Sequence, residues 1–310
     1  MTCTQHIAAA ALLATLSTSA NSAIFDRDDR QYVSATTGSP YAPVGLITYG
    51  RLMRTYTTGF LVDDCHVLSS QVVLGFGQAP RGKRAKFETG IGTPDHQSTR
   101  GTVVAAGGMN RHDTIQDRYE GGPRGWLLLR LDKCIGVTIG HVKLRTGPFS
   151  RDEFRNLQSV GYPVRRSRKK GLTIDPACSV YYGKDAIWFN DCATVRADGG
   201  DPIFRISTNG GKPQMEVYAI QLYGFKAKRP IARVPGRENQ AVSMAELAPR
   251  IEPYLSVRTG ASGRGPVAES KASDALSHVS AGSSAPSNGH LLDTRVVSAD
   301  DGSHSDSRTQ

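Results

Sequence analysis

Four cysteines are the side chains of this sequence best suited to covalent chemistry. The chain of 310 residues has five cysteines, and Cys3 lies near the N-terminus, ahead of an apolar run at residues 7–16. The others are widely spaced and lack the C-x-x-C pairs of a zinc site, so the sequence predicts two disulfides and no metal site. Four cysteines allow three pairings, and four buried free thiols are the alternative. The predicted disulfide residues are Cys65, Cys134, Cys178 and Cys192.

Clustered positive charge could recognise an anion. Lys and Arg number 38 against 28 Asp and Glu, for a formal net charge of +10. One basic run is Arg81–Lys86, which we predict to be a loop, and a second loop holds the predicted anion-binding residues Arg165, Arg166, Arg168, Lys169 and Lys170. An anionic surface or polysaccharide is the predicted partner, and merely solvated loops are the alternative. No nucleic-acid motif is present and aromatic residues do not alternate with the charges, which argues against nucleic acid.

Composition separates the two ends of the chain from its body. After the first 25 residues no run approaches the roughly 18 apolar residues of a membrane-spanning helix. Residues 1–23 combine a short apolar run with small residues, which predicts a signal peptide and a secreted or periplasmic protein. A buried N-terminal helix is the alternative. Residues 259–310 are rich in Ser, Gly and Ala and contain no aromatic residue, which predicts a disordered tail.

The body between these ends has the pattern of an all-β protein. Short β-branched and aromatic segments alternate with turn residues, which is typical of a barrel or a sandwich. One helix is predicted from Ser243, because Ser243 and Glu246 have capping-box spacing ahead of an apolar stripe. The predicted strands are 44–49, 58–62, 67–69, 126–131, 159–162, 179–182, 186–189, 202–206 and 217–222.

Several of these segments, taken in order, resemble the trypsin-like serine proteases, particularly exported bacterial members close to the glutamyl endopeptidases. Residues 65–73 resemble the segment V-L-T-x-x-H, and residues 125–131 resemble D-W-A-L-L-R-L. Residues 191–204 resemble the approach to G-[DN]-S-G-[GS]-P and the strand after it. The resemblance spans roughly residues 24–256.

The resemblance implies a fold of two antiparallel six-stranded β-barrels with an active site in the cleft between them and a short C-terminal helix. It places the first barrel in residues 24–145, and the second barrel with the helix in residues 146–258. It also suggests that Cys65 pairs with Cys134 and that Cys178 pairs with Cys192. No cofactor is implied.

The catalytic centre implied by the resemblance is degenerate. A trypsin-like protease needs a Ser nucleophile, a His base and an Asp that orients the His. Laid on this sequence without gaps, the His position falls on Val72, the Asp position on Gly125 and the Ser position on Gly199. Ala197 stands where the family has an oxyanion-hole glycine. The sequence therefore predicts an inactive homologue that binds a peptide or protein segment in the cleft.

Two other functions stay open at this point. One is an active serine endopeptidase with an unrecognised or rearranged triad, although no Ser lies between Asn190 and Ile206. The other is an anion-binding surface protein that uses its basic loops. The histidines and acids considered for a rearranged triad are His66, His96, His112, His141, Asp113 and Asp117.

Overall fold

The computed structural model describes the part of the chain that forms the two sheets. The described residues are 24–26, 28–50, 55–71, 81–107, 125–163, 171–184, 186–194, 199–223 and 238–255. All of them belong to the first of two units, Met1–Arg258. Within these residues, no helix is long and apolar enough to cross a membrane.

Six strands close into the first barrel. Their order around it is β2-β3-β4-β7-β6-β5, and every neighbouring pair is antiparallel. Every second side chain along these strands points inward, and together these side chains form one core in which Phe87, Leu127 and Leu129 are fully buried. The strands are β2 (Val44–Tyr49), β3 (Thr55–Leu61), β4 (His66–Ser70), β5 (Arg84–Thr89), β6 (Gln97–Gly107) and β7 (Trp126–Leu131).

The remaining strands form the second sheet. They are β1 (Gln31–Val33), β8 (Lys143–Leu144), β9 (Leu157–Gly161), β10 (Leu172–Cys178), β11 (Val180–Lys184), β12 (Ile187–Asn190), β13 (Pro202–Asn209), β14 (Lys212–Tyr223) and β15 (Asn239–Ser243). Their order is β1-β10-β9-β13-β14-β15-β12-β11, with β8 beside β14.

The second sheet returns on itself through one interrupted strand. Only Ser179 separates β10, which pairs with β9, from β11, which pairs with β12. Counted as one strand, β10 and β11 complete a cycle of six antiparallel strands. The predicted double-barrel fold is therefore confirmed. The short strands β1 and β8 also pair with this sheet, although both lie before residue 145. Strand pairing therefore crosses the predicted boundary between the barrels.

The largest core joins the two sheets. The outer face of the first barrel contributes Phe60, Leu68 and Leu128, and the second sheet contributes Phe204 and Ile220, all fully buried. Burial of each such side chain is worth about 1.5–3 kcal/mol, so this interface holds the two sheets firmly together.

Two helices complete the described fold. Helix α1 (Gly136–Ile139) follows the first barrel, and helix α2 (Met244–Leu255) ends the described chain. The Ser243 side chain accepts a hydrogen bond from the Ala245 backbone N–H at 3.1 Å, so Ser243 caps the helix that was predicted to start there. Leu247 and Ile251 bury the inner face of α2 in the shared core.

The predicted strands omit β1, β6, β8, β10 and β15, and the prediction for one further segment is wrong. The basic run Arg81–Lys86 was predicted to be a loop, but its second half forms the start of β5. Alternation explains the error, because Ala85 and Phe87 point into the barrel while the charged residues that alternate with them, Arg84, Lys86 and Glu88, point outward.

Candidate functional site: a junction of two glycines

Two of the predicted triad positions meet where the first barrel contacts the second sheet. The Gln71 backbone N–H, one residue before Val72, donates to the Gly125 carbonyl at 2.7 Å. The Ser70 Oγ lies 3.3 Å from that carbonyl and 3.4 Å from the carbonyl of Leu222. A Cβ built on Gly199 would lie 3.6 Å from the same Ser70 Oγ. The backbone thus brings Gly125, Gly199 and the residue before Val72 together, although neither glycine has a side chain that could act.

A buried cluster of hydroxyl groups lies at the junction. Thr57, Thr58, Ser69 and Ser70 are all 0% exposed. The Thr57 hydroxyl donates to the Gly199 carbonyl, and the Ser69 hydroxyl donates to the Thr58 carbonyl at 2.5 Å. A nucleophilic hydroxyl has to reach a substrate carbonyl. The hydroxyls of Thr57, Ser69 and Ser70 instead donate to buried backbone carbonyls, and the Thr58 hydroxyl accepts a hydrogen bond from the Tyr162 backbone N–H at 3.0 Å, so all four have structural roles.

Backbone conformation favours glycine at the junction. Gly125 has φ +77° and Gly200 has φ +93°, both in the left-handed region. A Cβ on Gly200 would lie 2.0 Å from the Thr58 carbonyl oxygen, so no other residue fits there. At Gly199 a Cβ would lie 3.0 Å from the Leu222 carbonyl oxygen, which is tight. Restoring an Asp at Gly125 would place it in a strained conformation.

The described histidines lie in other surroundings. His66, on β4, is 5% exposed, and its Nδ1 lies 2.8 Å from a carboxylate oxygen of Asp63. His96 lies 3.5 Å from Glu88 on the outside of the first barrel, and the His141 Nδ1 contacts the Val142 carbonyl at 3.2 Å. His66 is buried and Asp63 is half-buried, and Asp63 also accepts hydrogen bonds from the backbone N–H groups of Cys65 and His66, so this pair braces the β3–β4 turn.

Two buried carboxylates accept backbone hydrogen bonds next to the Cys178–Cys192 disulfide. Asp175 accepts hydrogen bonds from the backbone N–H groups of Ala193, at 2.6 Å, and Ala177, at 3.3 Å. Asp191 accepts one from the Ser179 N–H at 2.6 Å and one from the Tyr181 hydroxyl. Burial raises the pKa of Asp175 to about 6 despite the hydrogen bonds that oppose the shift.

Both predicted disulfides are present with the pairing suggested by the resemblance. Cys65 is bonded to Cys134, with 4.2 Å between their Cα atoms, and Cys178 is bonded to Cys192, with 4.7 Å between theirs. Among the described residues, no three His, Cys, Asp or Glu side chains gather as metal ligands do.

Solved structures with the same architecture identify the fold. A Glu endopeptidase in complex with MPD superimposes with a TM-score of 0.54 and 16% sequence identity, over 76% of this chain and 100% of the other. A scabies mite inactivated protease paralogue, SMIPP-S-I1, superimposes with a TM-score of 0.51 and 13% identity, over 74% of this chain and 100% of the other. The fold is that of the trypsin-like serine proteases. No protein-family model and no curated protein matches the sequence.

Several predicted site residues lie outside the described part of this trypsin-like fold. They are Val72, Ala197 and the anion-binding residues Arg165, Arg166, Arg168, Lys169 and Lys170, together with His112, Asp113 and Asp117. The segments predicted to be a signal peptide, residues 1–23, and a disordered tail, residues 259–310, also lie outside it.

Sequence reasoning missed two groups that shape the junction. The four buried hydroxyls occupy positions that read as ordinary strand residues, because Ser and Thr are common on β-strands. Asp175 lies in a strand that was not predicted, so nothing marked its side chain as buried. An acidic residue inside an otherwise apolar segment was the one available signal.

Proposed function

We propose that this protein is a catalytically inactive relative of the trypsin-like serine proteases that binds a peptide or protein segment in the cleft between its barrels. The glycines at the Asp and Ser positions carry the proposal. Neither residue offers a group that could orient an imidazole or attack a carbonyl. The Val72 assignment points the same way, because valine cannot take a proton, and Ala197 would alter the oxyanion site.

The surrounding geometry supports this proposal over a rearranged triad. The hydroxyl nearest to a Cβ built on Gly199, that of Ser70, is fully buried between two carbonyl groups. An active enzyme would need a nucleophile that a substrate can reach. One similar structure is described as an inactivated protease paralogue. The fold is therefore compatible with a loss of catalysis.

The proposal extends to domain organisation and location. The first barrel would occupy residues 24–145 and the second barrel with its helix residues 146–258, behind a signal peptide and ahead of a disordered tail. Two disulfides favour a secreted or periplasmic protein, because such bonds persist in oxidising compartments.

Covalent labelling tests the loss of activity. Purified protein is incubated with a fluorophosphonate probe, its intact mass is measured, and casein digestion is assayed beside active trypsin. We expect neither an adduct nor cleavage. An adduct that disappears in Ser70→Ala would identify Ser70 as a reactive nucleophile. Any other specific adduct accompanied by cleavage would likewise overturn the proposal.

Peptide binding needs its own measurement. Peptides selected on immobilised protein should bind a Gly199→Leu variant more weakly, because leucine would fill the vacant position. Thr208→Leu, on the exposed part of β13, is the matched control and should bind as the wild-type does. Both variants must unfold cooperatively. Equal binding by both variants, or binding abolished by moderate salt, would argue against a cleft-bound peptide.

A further inference from the structure

The outer face of the first barrel carries a row of cations that the cleft does not use. Alternation along β5 points Ala85 and Phe87 into the barrel, and therefore Arg84 and Lys86 outward. On the neighbouring strand β6, Arg100 points outward directly opposite Lys86. Three cations thus occupy adjacent positions on two paired strands.

The facing pair of cations is unfavourable without an anion. Residues directly opposite on antiparallel strands have Cβ atoms about 4.5–5.5 Å apart, and like charges at that spacing destabilise a sheet. The Lys86 ammonium contacts Glu88 at 2.7 Å, and Arg84 donates to Asp132 at 3.0 Å. Among the described residues, Arg100 forms no ion pair. The surface therefore has unsatisfied positive charge at Arg100.

These cations line an open groove whose wall is mixed, with apolar residues such as Leu46 and Ile91 and one acid, Glu88, beside the polar groups. The groove has a volume of about 1070 Å³ and extends from β3 across β2 and β5 to β6. Its lining also includes the Thr48 and Ser98 hydroxyls and the ring of Tyr56. Hydroxyl groups and an aromatic ring next to cations suit a ligand that offers both hydroxyls and anionic groups.

We propose that this groove binds an acidic polysaccharide, a chain of sugars that carry carboxylate or sulfate groups. Lys86 and Arg100 contact the anionic groups, while Thr48, Ser98 and Tyr56 contact the sugar rings. An acidic peptide fits less well, because every strand that lines the groove is paired on both sides in the closed barrel. No edge is free there for an extended peptide to add a strand. This binding is independent of the proposed function of the cleft.

Oligogalacturonates of defined length are the probe, titrated against the full chain at low salt and again at about 0.15 M salt. The site variant is Lys86→Gln/Arg100→Gln. The control variant is Lys212→Gln/Arg250→Gln, which removes the same charge from two exposed positions on β14 and α2. We expect about tenfold weaker binding by the site variant and less than twofold change in the control.

A footprint on the wild-type protein tests the same contact without a substitution. Bound oligogalacturonate should protect Lys86 from acetylation and leave Lys212 as reactive as in the free protein. The site variant should also unfold close to the temperature of the wild-type, because it removes both the repulsion between the facing cations and the exposed Lys86–Glu88 ion pair, whose effects oppose each other. If it fails to fold, the footprint alone decides.

Three results would overturn the proposal. Equal losses in both double variants would mean that net charge, not the groove, attracts the probe. Tighter binding of poly-glutamate than of oligogalacturonate would indicate an acidic protein partner. A wild-type protein that binds oligogalacturonate no better than uncharged dextran, or an unprotected Lys86, would remove the site altogether.

Discussion

Replacing Asp175 with asparagine should change how the stability of the protein depends on pH. The Asp175 side chain is 4% exposed and accepts two backbone hydrogen bonds, from Ala193 and Ala177. Burial raises its pKa from 3.8 to about 6, and the negative charges of Asp29 and Asp191 add to the shift. Asparagine has the same shape as the protonated acid and keeps the stronger hydrogen bond, so Asp175→Asn is a model of the protonated state.

The sign and size of the effect follow from linkage. Because the pKa of Asp175 is higher in the folded protein, the folded state binds more protons than the unfolded state between about pH 4 and pH 6. Its contribution to the free energy of unfolding therefore falls as the pH rises through this window. A shift of about two pKa units corresponds to about 3 kcal/mol. Between pH 4 and pH 7, the free energy of unfolding of the wild-type should fall by this amount relative to that of Asp175→Asn.

Urea denaturation of both proteins at half-unit steps from pH 4 to pH 7.5 measures the difference. Acids that do not interact with Asp175 contribute equally to both curves, so their effects cancel. We expect the free energy of unfolding of the variant to rise relative to that of the wild-type up to about pH 6. Above that pH the difference between the two proteins should stay constant. Parallel curves would show that Asp175 is not desolvated as the structure indicates. A wild-type that gains relative stability with rising pH would contradict the sign.

Three further predictions concern stability and are measured by chemical denaturation. Gly38→Ala should lower the free energy of unfolding by roughly 1 kcal/mol, because Gly38 has a positive φ. Gly200→Ala should lower it by clearly more, because a Cβ on Gly200 would also clash with a carbonyl oxygen, and equal losses would contradict this. Replacing Cys178 and Cys192 by alanine should cost about 3 kcal/mol, since the bond closes a loop of sequence separation 14, and an unchanged midpoint would exclude that contribution. Ser243→Ala should lower the free energy of unfolding by about 1 kcal/mol because it removes the helix cap. Ser243→Asp should keep most of that stability, because aspartate can also cap the helix.

The sequence predicted the strands whose residues are apolar on both faces better than those with one polar face. Residues 44–49 and 126–131 were predicted with the bounds that β2 and β7 have, because both segments are largely buried. Strand β5 was missed because its outward residues are charged, and its inward residues are too few to stand out. Such a strand forms because it pairs with its neighbours in the closed barrel, and its local composition alone does not predict it.

The arrangement of the candidate site could be predicted only in outline. Order of motifs placed Gly125 and Gly199, and the structure brings them together. The packing around them was not predictable, because it depends on contacts between residues far apart in sequence. The hydrogen bond from Thr57 to Gly199 spans 142 positions, and no local pattern marks either residue as its partner.

The pairing of β1 with β10 has a consequence for the order in which the chain can fold. Gln31 pairs with Ile174, so the first strand to be synthesised must wait for a partner about 140 residues later. The first barrel closes with strands from 44 to 131 and has no need of β1. Domains form as units while the chain emerges, N-terminal parts first. The first barrel should therefore be complete while residues 31–33 are still unpaired, and their docking on the second sheet then fastens the beginning of the chain to its later half.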